Sequence, residues 1–540
     1  MLDKLKKTFA NLPNYLKLLV IVCVIGGILL RFNNLEGKLY SNDETFSTTY
    51  IYGQQLTEVI ETKIISAKDL QSYQRLKTSE SLGEGIGRVI RQPYVFPPLY
   101  PILMQFWARI TDRWFTNPAM ITRSLSVVIS LFSLPFAYWL YWELCESHTI
   151  AWLGTALIAV SPFQLQYAQI VRTYSLTITA TFLASALFLR CYKFPGRSNW
   201  LLYGLSIAIG LYSNVLFGFV IIGHAIYTLW TQRVRWNSIV KNYTWSSCLG
   251  IFLFMPWFIR FITDEKLLNY SVAQPAQGGA SLKSLVTDWI KIIPKFFVDL
   301  NDPWIESTAQ FISLQKIFTP LILLLSMASL VFIIIYSPKN IRRFILSLIF
   351  AGGVLLMLKD IILGGTFSTR PRYLIPYVIG IELAVGIFLG YSLASPVHWW
   401  RKLGQFLLVL VLTGGLLSCY VISSSPSWWA FGAPDYPLMA EKINKQTLPV
   451  VIYDDFGDAL TMSYLVNENT KFHLTRNIEQ NLLKDDGKIY QGYEQIILFK
   501  PQETIKEKIQ RSARWNLQSL FNNKNNNIPN VPQLWSASRK

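Results

Sequence analysis

Charged side chains are scarce in this sequence of 540 residues. Asp, Glu, Lys and Arg make up 15% of the chain, whereas hydrophobic residues make up 51%. Soluble globular proteins carry about a quarter of their residues as these four charged types. The deficit excludes an ordinary water-facing surface over most of the chain and places the protein among those that lie largely in lipid.

Cysteine and histidine are also scarce, with five cysteines scattered singly and four histidines. No cysteines have the spacing of metal ligands, and residues 424–540 contain none, which excludes a disulfide framework in that region. His224 is the only histidine inside an apolar run. With no second ligand beside it in the sequence, we expect a hydrogen-bonded interior residue.

Acidic residues are outnumbered, with 32 Asp and Glu against 50 Lys and Arg, for a net charge of +18. Much of the positive charge falls in short connectors between apolar runs. There it is expected to meet the headgroups of membrane lipids and to fix topology, as juxtamembrane basic residues do. Nucleic acid is therefore not an expected partner.

The sequence contains long apolar runs, in keeping with its few charged residues. A helix needs about 20 mainly apolar residues to cross the hydrocarbon core. The pattern predicts an α-helical polytopic membrane protein with about eleven transmembrane helices. They are expected at 15–32, 119–145, 150–168, 172–192, 199–213, 214–231, 242–263, 317–336, 341–358, 373–395 and 402–423.

The basic connectors predict the orientation, because short loops rich in Lys and Arg stay in the cytoplasm. The loop 33–118, the loop 264–316 and the tail after 424 then lie outside, in a multi-pass protein of the plasma (inner) membrane. We expect a transmembrane domain over 1–423 and a small α/β extracytoplasmic domain over 424–540. Within the tail, strands are predicted in 448–460 and 493–501, and helices at 436–446 and 502–514.

Two adjacent acids, Asp43 and Glu44, follow the first apolar run and lie among aromatic residues that include Tyr40. A carboxylate at the mouth of a helical bundle can remove a proton from an incoming hydroxyl group. A solvated acidic pair is the simpler interpretation of the same pattern. The nearby tyrosines fit either a substrate surface or anchors at the membrane interface.

Three further stretches are predicted on the outer side. Residues 94–110 combine Pro97 and Pro98 with an apolar, aromatic face, as in an interfacial helix or the start of a longer span. Arg172 lies where the third span turns into the fourth, and Arg370 and Arg372 precede the tenth. Such arginines either snorkel and pair with lipid phosphate, or hold an anionic ligand by bidentate hydrogen bonds.

Together these stretches resemble the GT-C superfamily of polytopic glycosyltransferases. Within it they resemble the family 39 group, which includes protein O-mannosyltransferases and the lipid A aminoarabinose transferase. The order and sidedness of the pieces carry the resemblance over most of residues 1–395. The matching pieces are Asp43-Glu44, Pro97-Pro98-Leu99-Tyr100, Ser161-Pro162-Phe163 with Gln169, Arg172 and Tyr174, and Arg372-Tyr373.

Two positions depart from the pattern of many bacterial relatives. Phe96 stands where they have a histidine before the two prolines, and Ile170 stands where they have an acid. Both departures weaken the case for a bound metal, although a divalent cation at Asp43 and Glu44 stays an open alternative.

The resemblance implies transfer of a sugar from a polyprenyl-phosphate-linked donor to a glycan, lipid or protein acceptor on the outer face. Asp43 would be the base of an inverting displacement, and Glu44 would orient Asp43 or the acceptor. Arg172, Arg370 and Arg372 would bind the donor phosphate, and Tyr40, Tyr100, Tyr174 and Tyr373 would line the substrate site.

A transporter or flippase of a polyprenyl-linked saccharide is the alternative function. It would share the spans and the arginines, but it has no need of a carboxylate base in the first outer loop. Such proteins are often built from two repeated halves with matched broken helices. No repeat at a fixed period is visible in the sequence.

Overall fold

The computed structural model describes most of the chain, and its residues form two compact units that each draw on separate stretches of sequence. Unit 1 comprises Met1–Leu35, Ile90–Met104 and Arg123–Ser425, and unit 2 comprises Glu36–Val89, Gln105–Thr122 and Pro426–Lys540. The described residues are 12–52, 63–77, 79–91, 96–115, 117–264, 281–302, 306–429, 435–475, 478–484, 487–512, 514–522 and 533–539.

Long apolar helices dominate unit 1. Within the described ranges, nine helices are long and apolar enough to cross a membrane: Asn14–Phe32, Pro118–Cys145, Tyr174–Lys193, Val215–Gln232, Ser238–Thr263, Thr308–Ile335, Lys339–Leu363, Ile375–Leu393 and His398–Ser424. The other helices here are His148–Ala159, Pro162–Ala168, Arg197–Ser213 and Leu282–Lys295, with Leu99–Thr111 shared between the units. The predicted polytopic helical fold is confirmed.

Two predicted spans differ in detail. The segment predicted at 150–168 is broken into His148–Ala159 and Pro162–Ala168. Ser161 caps the second helix by accepting a hydrogen bond from the Gln164 amide at 3.3 Å, and Pro162 takes the first helical position, where its missing N–H costs nothing. The segment predicted at 199–213 is the helix Arg197–Ser213 of 17 residues. Leu99–Thr111 is a helix of its own and not the start of Pro118–Cys145.

The helix Asn14–Phe32 touches His148–Ala159 through a glycine and an arginine. A Cβ atom at Gly27 would lie 2.3 Å from the carbonyl oxygen of Ala159. Four residues later, fully buried Arg31 donates from Nη1 to the oxygens of Gly27, at 2.8 Å, and Ala159, at 2.7 Å. Only glycine permits this approach of two backbones. The guanidinium then satisfies carbonyl groups at the carboxyl end of His148–Ala159.

Gly27→Ala is therefore expected to destabilise the protein by about 1–3 kcal/mol, because the added methyl group meets backbone that cannot rotate away. Gly26→Ala is the matched control, since a Cβ atom there meets only the flexible end of Leu416, at 2.9 Å. Thermal unfolding of both variants in the same detergent measures the difference. Equal unfolding temperatures for the two variants would contradict this account of the contact.

A six-stranded sheet forms the centre of unit 2. The strands are β1 (Ile64–Ser66), β2 (Pro449–Tyr453), β3 (Lys471–Leu474), β4 (Gln495–Phe499), β5 (Trp515–Asn522) and β6 (Gln533–Arg539), in the order β1-β3-β2-β4-β6-β5. The central strands β3, β2 and β4 are parallel, and the outer pairings are antiparallel. The helices of this unit are Asn42–Tyr52, Ala67–Ser72, Leu82–Arg91, Tyr436–Asn444, Phe456–Ser463 and Glu503–Arg511.

Alternate residues of β2 enter two hydrophobic cores, one on each face of the sheet. Val451 and Tyr453 pack with the helices Tyr436–Asn444 and Phe456–Ser463, whereas Val450 and Ile452 pack with Ile509 of Glu503–Arg511. This is the side-chain period of two that a strand buried on both faces requires. The predicted α/β character of the tail, with its strands and helices, is confirmed.

The loop after the helix Asn14–Phe32 contributes to this sheet, which the sequence did not reveal. Strand β1 pairs with β3 in the register Ile65 to Phe472. The division into domains 1–423 and 424–540 stays a prediction, and the compact unit built around the tail also contains Glu36–Val89 and Gln105–Thr122.

Candidate functional site

Glu44 closes the first turn of the helix Asn42–Tyr52 in unit 2. Its carboxylate accepts hydrogen bonds from the Ser41 amide at 3.0 Å and the Ser41 hydroxyl at 3.1 Å, and its side chain is buried. This is the half of a capping box in which a Glu at the third helical position reaches back to the residue before the helix. Glu44 therefore fixes the turn that carries Asp43, and its role in orienting Asp43 or the acceptor stays a prediction.

Asp43 lies in that same first turn and is partly exposed. The backbone N–H groups at the amino end of a helix point outward, and the helix dipole favours negative charge there. The local structure thus suits an ionised carboxylate at position 43.

Hydrogen bonds hold the helix Asn42–Tyr52 in place within unit 2 at both ends and in the middle. Just before the helix, the Leu39 backbone amide donates to the Pro426 carbonyl oxygen at 2.6 Å. In the middle, the buried Gln74 amide donates to the Thr45 oxygen at 3.1 Å. At its carboxyl end, the side chains of Arg88 and Gln105 both donate to the Ile51 oxygen, at 3.1 and 2.5 Å.

Arg88, which donates to the carboxyl end of the helix Asn42–Tyr52, is itself paired with an acidic side chain. Glu80 accepts two hydrogen bonds from Arg88, at 2.8 and 2.7 Å. These bonds hold the pKa of the Glu80 carboxyl below its usual range. The Asp43 helix is thus supported by a charged pair as well as by neutral donors.

Two of the tyrosines predicted to line a substrate site are packed inside their units. Tyr40 donates to or accepts from the Thr122 hydroxyl at 2.9 Å, and its ring meets that of Tyr464 edge-on at 5.0 Å. Tyr100, in unit 1, shares a 2.7 Å hydrogen bond with Ser126. Both side chains are buried, so these contacts account for a packing role, and substrate lining stays a prediction for them.

Arg172 lies in unit 1 at the turn between Pro162–Ala168 and Tyr174–Lys193. Its guanidinium lies 5.0 Å from the centre of the Phe96 ring. A cation over an aromatic face gains electrostatic attraction that grows with desolvation, and Arg172 is 7% exposed. Phe96 thus supplies an aromatic face against which the Arg172 guanidinium packs.

Gln169 holds the turn against the first helix. Its amide nitrogen donates to the oxygens of Leu30, Arg31 and Asn33 at 3.0, 3.1 and 3.0 Å. These carbonyl groups lie at the end of Asn14–Phe32, where helix acceptors lack partners of their own. Gln169, predicted as part of the motif, therefore acts as a cap that fixes the turn carrying Arg172.

Arg372 precedes the helix Ile375–Leu393, and its guanidinium is 5.1 Å from the centre of the Tyr373 ring. The Tyr167 ring packs edge-on against Tyr174 at 4.9 Å. Tyr174 thus packs against Tyr167, the Arg372 guanidinium lies over Tyr373, and Arg370 is exposed to solvent.

Three residues of this region were missed by the sequence reasoning: Arg31, Tyr167 and Glu382. Glu382 is buried in Ile375–Leu393 and accepts a hydrogen bond from Gln164 at 3.0 Å. An acid in the middle of an apolar run marks a functional or structural site, and that signal was available. Tyr167 carried no comparable signal, because its importance comes from neighbours distant in sequence.

His224 is the hydrogen-bonded interior residue that was expected. Its ring nitrogens contact the Tyr203 hydroxyl at 2.9 Å and the Ser185 hydroxyl at 3.2 Å, and the ring stacks on Phe188 at 4.3 Å. Over the part of the chain that the structure describes, no group of three or more His, Cys, Asp or Glu residues is placed to hold a metal ion. A divalent cation at Asp43 and Glu44 stays a prediction.

Solved structures of two other proteins have a similar fold. The crystal structure of ArnT from Cupriavidus metallidurans bound to undecaprenyl phosphate superposes with a TM-score of 0.53 at 11% identity, covering 97% of this chain and 98% of that one. The apo structure of the same protein gives a TM-score of 0.53 at 10% identity, with the same coverage. An oligosaccharyltransferase from Archaeoglobus fulgidus, in complex with Zn and sulfate, gives 0.50 at 11% identity over 89% of this chain and 67% of that one.

The sequence matches no protein-family model and no curated protein. The likeness is therefore one of structure, and it extends almost from end to end. The chain shares its fold with ArnT from Cupriavidus metallidurans and with the Archaeoglobus fulgidus oligosaccharyltransferase.

Proposed function

We propose that this protein is a glycosyltransferase that moves a sugar from a polyprenyl-phosphate donor to an acceptor on the outer face of the membrane. The observation that carries the proposal is the match in fold along the whole chain to a transferase crystallised with undecaprenyl phosphate. Fold alone does not imply function. The side chains of the two units supply the rest of the support.

Asp43 is proposed as the general base. An acceptor hydroxyl or amine attacks the anomeric carbon, the bond from that carbon to the phosphate oxygen breaks, and the acceptor proton passes to the Asp43 carboxylate. Polyprenyl phosphate leaves with the electron pair of the broken bond. Because phosphate is a good leaving group, this inverting reaction needs no general acid, unlike hydrolysis of an ordinary glycoside.

Arg172 and Arg372 are proposed to bind the donor phosphate, with Arg370 as an exposed outer contact. Guanidinium groups recognise phosphate by paired hydrogen bonds and stabilise charge that develops on it. Support comes from the burial of Arg172 and from its position two residues before Tyr174, which packs edge-on against Tyr167. Tyr174 and Tyr373 are proposed to line the donor site.

The acceptor is proposed to be a glycan, a lipid or a protein, and the protein to lie in the plasma membrane with Asp43 and unit 2 outside. The basic connectors support that orientation. A hexosyl or a pentosyl group fits the proposed chemistry equally.

Donor consumption by the purified protein tests the function without knowledge of the acceptor. Synthetic undecaprenyl-phosphate hexoses and pentoses are incubated with the protein and with extracted membranes as a source of acceptors. We expect one member of this panel to release undecaprenyl phosphate, measured by mass spectrometry, together with a glycosylated product of inverted anomeric configuration. Vesicles loaded with the same donors separate the alternative: movement across the bilayer with no release would indicate a flippase.

A further inference from the structure

The central strands of unit 2 create a place where α/β proteins bind ligands. From β2 the chain turns to β3 on one side, and β4 lies on the other side of β2. The helix after β2 packs on one face of the sheet, and the helix after β4 packs on the opposite face. A crevice forms at the carboxyl ends of two such neighbouring strands, since their connections leave in opposite directions.

The residues at this crevice are polar and engaged with one another. Asp455 follows β2 and caps the helix Phe456–Ser463, whose third residue is Asp458. Lys500 follows β4 and donates from Nζ to Asp458 at 2.9 Å and to the Tyr436 hydroxyl at 2.5 Å. Lys500 has a φ of 48°, an uncommon backbone conformation for a residue with a side chain. Surrounding structure must hold such a residue in place.

The crevice is occupied by the chain itself, through the first residue of the helix that carries Asp43. Asn42 donates its amide to Asp458 Oδ1 at 2.5 Å and accepts the Thr461 hydroxyl at 2.5 Å. Tyr436 donates to the same Asp458 oxygen at 2.5 Å. Asp458 thus receives an amide, a phenol and an ammonium group, and it is mostly buried.

We infer that the tail of this protein is a positioning domain. Its crevice between β2 and β4 binds the Asn42 side chain by hydrogen bonds and so sets the position and orientation of the neighbouring Asp43. Asp458, Lys500 and Thr461 are positioning residues, since they act on Asp43 only through Asn42 and the first helical turn. This inference rests on the proposed role of Asp43 as base and assigns the tail a part in the same reaction.

The geometry favours positioning over a free ligand site. Buried charges need full hydrogen bonding, and the Asp458 carboxylate obtains it from groups of this chain. A catalytic group requires support from a second layer of packed, hydrogen-bonded residues, and a displacement of about 1 Å costs about a hundredfold in rate. The hydrogen-bonded pair of Asn42 and Asp458 lies one residue from the proposed base, Asp43. Loss of this pair is therefore expected to displace Asp43 first.

An exchange of the two side chains tests the inference. Asn42→Asp sets two carboxylates against each other, and kcat for donor consumption is expected to fall by about a hundredfold with an unchanged KM for the undecaprenyl-phosphate sugar. The double variant Asn42→Asp with Asp458→Asn restores an amide facing a carboxylate, and about a tenfold recovery of kcat is expected. Glu441→Gln is the control, because it breaks only the exposed pair with Lys445 in the same unit.

A purely structural role would give a different pattern. If Asn42→Asp kept the wild-type kcat, or if kcat fell and the double variant did not recover it, the inference would be overturned. If Asn42→Asp fails to fold, Thr461→Val replaces it in the test, because this variant removes a single hydroxyl donor to Asn42. A wild-type kcat for Thr461→Val would likewise overturn the inference. Asp43→Asn in the same assay separates the two proposals: full activity of that variant refutes the base, whereas an inactive Asp43→Asn beside a fully active Asn42→Asp refutes only the positioning.

Discussion

Asp43→Asn is expected to reduce the rate of sugar transfer by about 10²–10⁴-fold, the range that general base catalysis contributes. Asparagine has nearly the shape of aspartate and can still accept a hydrogen bond, but it cannot take the proton of the acceptor. The phosphate contacts are proposed for other residues, so binding of undecaprenyl phosphate, measured by native mass spectrometry, should not change.

The matched control for this variant is Asp69→Asn. Asp69 also lies in the first turn of a helix in unit 2, after the cap residue Ser66, with which it shares a 2.7 Å hydrogen bond. The same chemical change is therefore made in a similar setting without touching the proposed base. We expect wild-type transfer from Asp69→Asn. Full transfer by Asp43→Asn, or an equal loss from both variants, would exclude Asp43 as the base.

Much of the transmembrane fold could be predicted because its signal is local. Apolar runs of sufficient length are visible one segment at a time, and helices lie at each of the predicted segments. The exception was the break at Ser161 and Pro162, because a hydropathy pattern does not detect a helix cap inside an apolar run. Of the strands in the tail, β2 and β4 were visible as short apolar runs between turn residues, whereas β3, β5 and β6 were not predicted.

What the sequence could not supply is the set of contacts between distant segments. Nothing near residue 65 indicates that it pairs with residue 472, so the contribution of its loop to the sheet was missed. The candidate site shows the same limit. Asp43 and Arg372 were recognised through resemblance, but Asn42 and Asp458 are 416 positions apart and neither is unusual in its own surroundings.

Replacement of Arg372 gives the second large effect. Arg372→Gln is expected to lower kcat for donor consumption by about 10²–10³-fold, as the loss of a group that stabilises transition-state charge does elsewhere. Arg372→Lys keeps the charge but cannot form two parallel hydrogen bonds to phosphate. It is therefore expected to lie between Arg372→Gln and the wild type. Arg113→Gln is the control, because Arg113 is exposed and also rests on an aromatic ring, that of Trp114 at 5.3 Å.

The comparison of glutamine with lysine distinguishes phosphate recognition from packing. If Arg372 only packs against Tyr373, neither variant should change the affinity for undecaprenyl phosphate, since the contact with the ring acts on stability alone. If it binds phosphate, lysine should retain part of the affinity for undecaprenyl phosphate, and that part should weaken as salt is added because it rests on charge. Because the phosphate acquires a second negative charge as the sugar leaves it, the loss in kcat should exceed the loss in donor affinity.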